Sequence, residues 1–141
     1  MAQEAIFLPV LALALLTSTV LLFIPLRRFR AVFAGQVTPN DFALGESANV
    51  PPTVALPNRN YMNLLEIPLL FYAVCLAMFV TQTVDALAVN LAWGYVALRV
   101  VHSAIHISYN NVVHRLSAFA VSNFVLIALW VVFGMRVLDA A

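Results

Sequence analysis

Residues 5–26 read AIFLPVLALALLTSTVLLFIPL, and RRFR follows at once at residues 27–30. A membrane-spanning helix needs about 20 apolar residues, and this run supplies them without a charge. No basic segment precedes it; the arginines come after it. That order reads as a spanning helix with a basic stop, not as a cleavable leader. Working outward, three further segments are apolar over a similar length: residues 60–80, 86–107 and 116–138. None alternates with the period of two that a barrel strand requires. The expected fold is an all-α membrane protein, a multi-pass bundle of four transmembrane helices forming one domain over residues 1–141.

Composition points the same way. Of the 141 residues, 64% are hydrophobic and only 9% charged, too few polar side chains to cover a soluble domain. All seven basic residues are arginine, and the net charge is +1. Nothing here fits a nucleic-acid partner. The one cysteine, Cys75, lies in an apolar stretch, cannot form an intrachain disulfide, and reads as a small hydrophobe.

The connections differ in kind. Residues 27–59 contain Gly35, Pro39, Asn40, Gly45, Pro51, Pro52 and Pro57 and read as a long loop without a continuous helix. The links at residues 81–85 and 108–114 are short, which makes their flanking helices antiparallel neighbours. Pro68, inside the second segment, removes a donor from the Leu64 carbonyl and should kink that helix. Arg27, Arg28, Arg30 and Arg59 fall in the first loop and Arg115 beside the third, whereas the other side has only Arg136 with Glu4, Asp85 and Asp139. The positive-inside bias then places loops one and three in the cytoplasm and both termini outside, on the periplasmic face of a bacterial inner membrane.

Charges inside spanning segments cost about 2.5–3.5 kcal/mol each at the bilayer centre, so they ask for a reason. Arg59, Asn63 and Glu66 share a helical face within roughly 60° of arc. Arg99, His102, His106 and Tyr109 share another within roughly 80°. Arg115 opens the last segment with Ser122 on its face, and Arg27 and Arg28 close the first. All lie toward one end of the bundle. The bland alternative is a Glu66–Arg99 ion pair locking two helices, with Arg59 and Arg115 snorkelling to lipid headgroups. His102 and His106 stand at i, i+4, yet no further ligand has matching spacing and HExxH is absent, so no metal site is expected.

The segment PNRNYMNLLEIP, residues 57–68, resembles the second-helix signature of the MAPEG superfamily (membrane-associated proteins in eicosanoid and glutathione metabolism). That signature is an arginine, an asparagine four on, a glutamate three further and a proline soon after. Arg99 with His102, then Arg115 at the head of the fourth helix, and the pair Arg27-Arg28 after the first, resemble the microsomal glutathione transferases. The resemblance runs over nearly the whole chain. It implies a homotrimer with glutathione as co-substrate between subunits near the cytoplasmic side, and Arg59, Asn63, Glu66 and Arg115 as glutathione contacts. His106 stands where family members often carry tyrosine, and so does Ile67.

The chemistry of the tripeptide suits these residue types. Guanidinium forks match its two carboxylates, Glu66 suits its ammonium, and Asn63 its amides. Arg99, His102, His106 and Tyr109 complete the expected binding set. A cation near the sulfur favours thiolate over a thiol of pKa about 8.5; Arg115 is the preferred candidate, with Arg28 and Arg99 behind it. The expected function is a glutathione-dependent transferase or peroxidase acting on hydrophobic electrophiles or lipid peroxides that arrive from the bilayer. One competitor is a non-catalytic membrane module or accessory subunit of a larger complex, favoured by small residues Ala86, Ala88, Ala92, Gly94 and Ala97, which permit close packing. The other is a transporter or channel, disfavoured because the polar groups gather at one end.

Overall fold

The computed structural model describes residues 2–139. A 3-10 turn, Gln3–Ile6, leads into α1, Phe7–Phe33. After a loop with a second such turn at Pro39–Phe42 come α2, Pro52–Leu65, and α3, Pro68–Val80. Then follow α4, Ala86–Ile107, and α5, Val112–Asp139. No strand occurs among the described residues. α2 and α3 are the halves of one broken rod, so the bundle has four rods.

α1, the α2–α3 rod and α5 are long and apolar enough to cross a membrane. α4 has the length, at 22 residues, but not the apolarity, because it carries Asn90, Arg99, His102 and His106. It turns those last three inward and keeps Leu87, Trp93, Val100 and Val101 outside. Only 17–33% of each of the other three spanning windows is buried inside the protein. Leu11, Leu15 and Leu22 of α1 and Phe124 and Ile127 of α5 are exposed. Such a surface is untenable in water and ordinary in lipid.

With lipid outside, helix association rests on close packing rather than on escape from water. α4 supplies the seam. Its buried residues Ala88, Ala92, Tyr95, Arg99, His102 and His106 alternate steps of four and three, the spacing of a seam that stays in register with a neighbour. α4 packs most extensively on α5, and α1 on α2. The upper seam is filled by Ala88, Ala92, Tyr95, Leu126 and Leu129, with Phe71 stacked on Tyr95 at 4.8 Å.

Several boundaries differ from the sequence reading. α1 runs on to Phe33, seven residues past Leu26, and α2 begins at Pro52 rather than residue 60. The expected loop of residues 27–59 therefore shrinks to residues 34–51. Pro52 sits in the first turn of α2, where its missing N–H costs nothing. Pro57 cannot donate to the Thr53 carbonyl, and Arg27 Nη1 approaches that oxygen at 3.4 Å instead. At Pro68 the helix breaks outright rather than bending: Leu69 and Leu70 N–H groups reach back only three residues, to Glu66 and Ile67 carbonyls.

The opposite end of the bundle is clasped by polar contacts. Gln3 exchanges two hydrogen bonds with the Val84 backbone. Asp85 caps α4 at Ala88 N and accepts from Arg136 Nη2 at 2.5 Å, while Arg136 Nη1 donates to the Thr83 carbonyl. The Arg136 hydrogen bond, with help from the Ala88 N–H, holds the Asp85 carboxyl below its usual value. Its contribution to stability is thus present above the unfolded value of about 3.9 and lost as pH falls through the lower folded value. Asp85→Asn is expected to cost about 0.2–1 kcal/mol at neutral pH, the range for an exposed pair. Melting curves in detergent should show that difference fading in acid.

Candidate functional site

The lower half of the α4 seam changes character, from alanine and tyrosine to Arg99, His102, Ser103 and His106, all buried. Their positions follow from the same four-three spacing, so the packing that closes the upper bundle also aims these side chains inward. At this end α2, α4 and α5 form an open cavity of about 360 Å³, lined by Arg59, Asn63, His102, His106, Val112, Arg115, Leu116 and Phe119. That volume suits a small ligand. No carboxylate lines the cavity among the described residues, so its charge favours an anion.

Each lining group is held differently. Asn63 Nδ2 donates to the Arg59 carbonyl at 2.9 Å, which fixes the amide one turn from the guanidinium. Arg115, in the first turn of α5, donates from Nη1 to Asn110 Oδ1 at 2.6 Å. The His102 and His106 rings stack with centroids 5.7 Å apart, and Phe119 lies 5.7 Å from His102. His102 Nδ1 lies 3.1 Å from the Arg115 carbonyl oxygen. His102 Nε2 and His106 Nδ1 are buried without a hydrogen-bond partner. No group of three His, Cys, Asp or Glu side chains gathers among the described residues.

Of the nine residues nominated from sequence, the cavity thus brings together Arg59, Asn63, His102, His106 and Arg115. The other four lie elsewhere in the chain. Glu66 is exposed at the α2–α3 break, with φ −78 and ψ −90. The Glu66 N–H still bonds the Met62 carbonyl, so helical geometry holds up to this residue; the chain turns after it, and its side chain stands on the open surface, outside the cavity lining. The alternative Glu66–Arg99 ion pair is not formed either; the ion pairs among the described residues are Arg28–Glu46 and Arg136–Asp85.

Arg99 is fully buried behind the cavity. Its Nε donates to Tyr95 Oη and its Nη2 to Asn123 Oδ1, each at 3.0 Å. The guanidinium lies 5.1 Å from the Tyr95 and Phe119 ring centroids, and Nη1 has no partner. Arg28 sits over the Phe42 ring at 4.6 Å and 3.5 Å from Glu46. Tyr109 is exposed and pairs with His114 Nδ1 at 3.1 Å.

Sequence reasoning passed over four residues that shape the site. Phe119 separates Arg99 from the cavity. Asn123 satisfies Arg99. Asn60 and Ser103, both buried, bridge α2 to α4 at 3.3 Å. Asn123 was legible as a polar residue inside an otherwise apolar run; Phe119, one apolar residue among many, carried no signal.

The sequence model described as the MAPEG family matches residues 6–135, from the turn before α1 to the last turns of α5. No curated protein and no solved structure matches the chain.

Proposed function

Because the chain belongs to the MAPEG family, we propose that it is a glutathione-dependent membrane enzyme, conjugating hydrophobic electrophiles or reducing lipid peroxides. The observation that supports this reading is the acid-free cavity walled by Arg59, Asn63, His102, His106 and Arg115. The Arg59 and Arg115 forks suit the carboxylates and the thiolate of the tripeptide. Asn63 suits an amide. The two imidazoles offer buried nitrogens still lacking partners. The apolar acceptor reaches the cavity from lipid past Val112, Leu116 and Phe119.

In this proposal the protein works as a homotrimer. An exposed carboxylate inside a spanning rod is costly in lipid, and Glu66 is such a group. A neighbouring copy that covers it removes that cost, and Glu66 then meets the glutathione ammonium at the shared boundary. Arg28, tied to the Phe42 loop of its own protomer, serves a thiolate only in a neighbour's cavity. The arginine-rich end faces the cytoplasm, and the Gln3–Arg136 end faces the periplasm of a bacterial inner membrane.

Of the small residues that favour an accessory module, Ala86 and Ala97 are exposed and stay open to a partner, whereas three others are used within the chain. Ala88 and Ala92 are fully buried within the protomer, and a side chain at Gly94 meets Val125 at 3.9 Å. They pack α4 onto its own neighbours.

Glutathione titrated into the detergent-purified protein should raise its melting temperature. At 100 times Kd the stabilisation is about 2.7 kcal/mol, or roughly 6–11 °C for a chain of this size. A thiolate absorbance should grow in step. If saturating glutathione produces neither signal, the reading fails.

A further inference from the structure

His102 and His106 are 3% and 2% exposed, yet both stand on the cavity wall. Neither is needed to supply positive charge, since Arg59 and Arg115 already do so. The clue to their use is the hydrogen bond between His102 Nδ1 and the Arg115 carbonyl oxygen. A carbonyl only accepts, so Nδ1 carries the hydrogen and donates it. The tautomer is thereby fixed, and the neutral ring keeps its lone pair on Nε2. That nitrogen is buried with no partner among the described residues. A bare acceptor in the interior asks for a donor.

Resting on the reading of the site as a glutathione cavity, we propose that His102 is the base that takes the thiol proton. The S–H bond breaks, its electron pair stays on sulfur, and an N–H bond forms at Nε2. The Arg115 carbonyl, already accepting from Nδ1, orients the ring and stabilises the imidazolium. On addition of the thiolate to an activated double bond, a carbon–sulfur bond forms, the π pair moves to the adjacent atom, and the imidazolium returns the proton there. The groups facing His102 are Arg99 and His106 on α4, Arg115 on α5, and Arg59 and Asn63 on α2. All are cationic or neutral, so the imidazolium forms only together with the thiolate.

The competing route lets the arginines hold the thiolate while the proton leaves to water, and the two routes differ in proton count. Glutathione is mixed with the wild-type protein in weakly buffered detergent solution containing a pH indicator, and thiolate absorbance is followed in parallel. Thiolate should appear without stoichiometric proton release. His102→Asn carries an amide N–H where Nδ1 stands and so preserves a donor for the Arg115 carbonyl, but it cannot take a proton at neutral pH. It should form thiolate at least about 100-fold more slowly. Release of one proton per thiolate in the wild type overturns the role of His102 and leaves the glutathione reading standing. So does thiolate formation at an unchanged rate in His102→Asn. Failure of glutathione to bind at all overturns both. The wild-type count does not depend on whether the variant folds.

Discussion

Arg115→Ala should lower kcat/KM for glutathione-dependent turnover by about 10²–10³-fold, the usual cost of removing one preorganised charge donor from a reacting anion. The structure makes this a clean substitution. Arg115 meets His102 through its backbone carbonyl, which alanine retains, and Asn110 through its side chain near the mouth of the loop. The fold should therefore lose no more than about 1 kcal/mol, the range for a partly exposed polar contact. Arg115→Lys should recover little of the lost activity, because an ammonium cannot reproduce the planar fork. Steady-state kinetics with glutathione and a hydrophobic electrophile, run beside melting curves, separate the two effects. Unchanged turnover in Arg115→Ala would remove this residue from the site.

Arg99→Ala should fail in the opposite way, through stability. The change removes a buried guanidinium that has no carboxylate partner, which by itself relieves a desolvation cost. Against that relief, the Tyr95 hydroxyl and the Asn123 carbonyl oxygen lose their donor, at about 1–3 kcal/mol for the buried hydroxyl and less for the half-buried amide. A space the size of an arginine also opens between α4 and α5, where large-to-small changes cost about 2–5 kcal/mol. The losses exceed the relief, and a net destabilisation of about 3–5 kcal/mol is expected. Arg99→Met fills most of that space without a charge and should be milder. Unfolding in mixed micelles measures both variants. If Arg99→Ala is as stable as wild type but no longer binds glutathione, Arg99 belongs to the ligand and not to the packing.

Arg115 and Arg99 look alike in the sequence because both are arginines of spanning segments that fall toward the same end of the bundle. They part in the fold because of Phe119 and Asn123, whose positions depend on how α5 lies against α4. Phase along one helix was legible; the partner across the seam was not. The rods themselves were legible, since apolar length is read directly by the bilayer, and α4 has the same bounds, residues 86–107, in sequence and structure. The end of α1 was misread because apolarity stops at Leu26 while arginine, a good helix former, carries the helix on to Phe33. The start of α2 was misread because a proline cluster signals a break in a helix interior and a beginning at its first turn. Glu66 lies at the end of α2, exposed and outside this cavity, because the helix stops there and the chain turns before Pro68. The five nominated residues that line the cavity each lie on an unbroken helical stretch.

The account stands on one placement, the thiol of glutathione between α4 and α5. A density map of the purified protein with bound glutathione measures it. The expected map shows the tripeptide in the cavity with its sulfur within hydrogen-bond reach of Arg115 and His102. Tripeptide density only outside that cavity, or none at saturating glutathione, would contradict it.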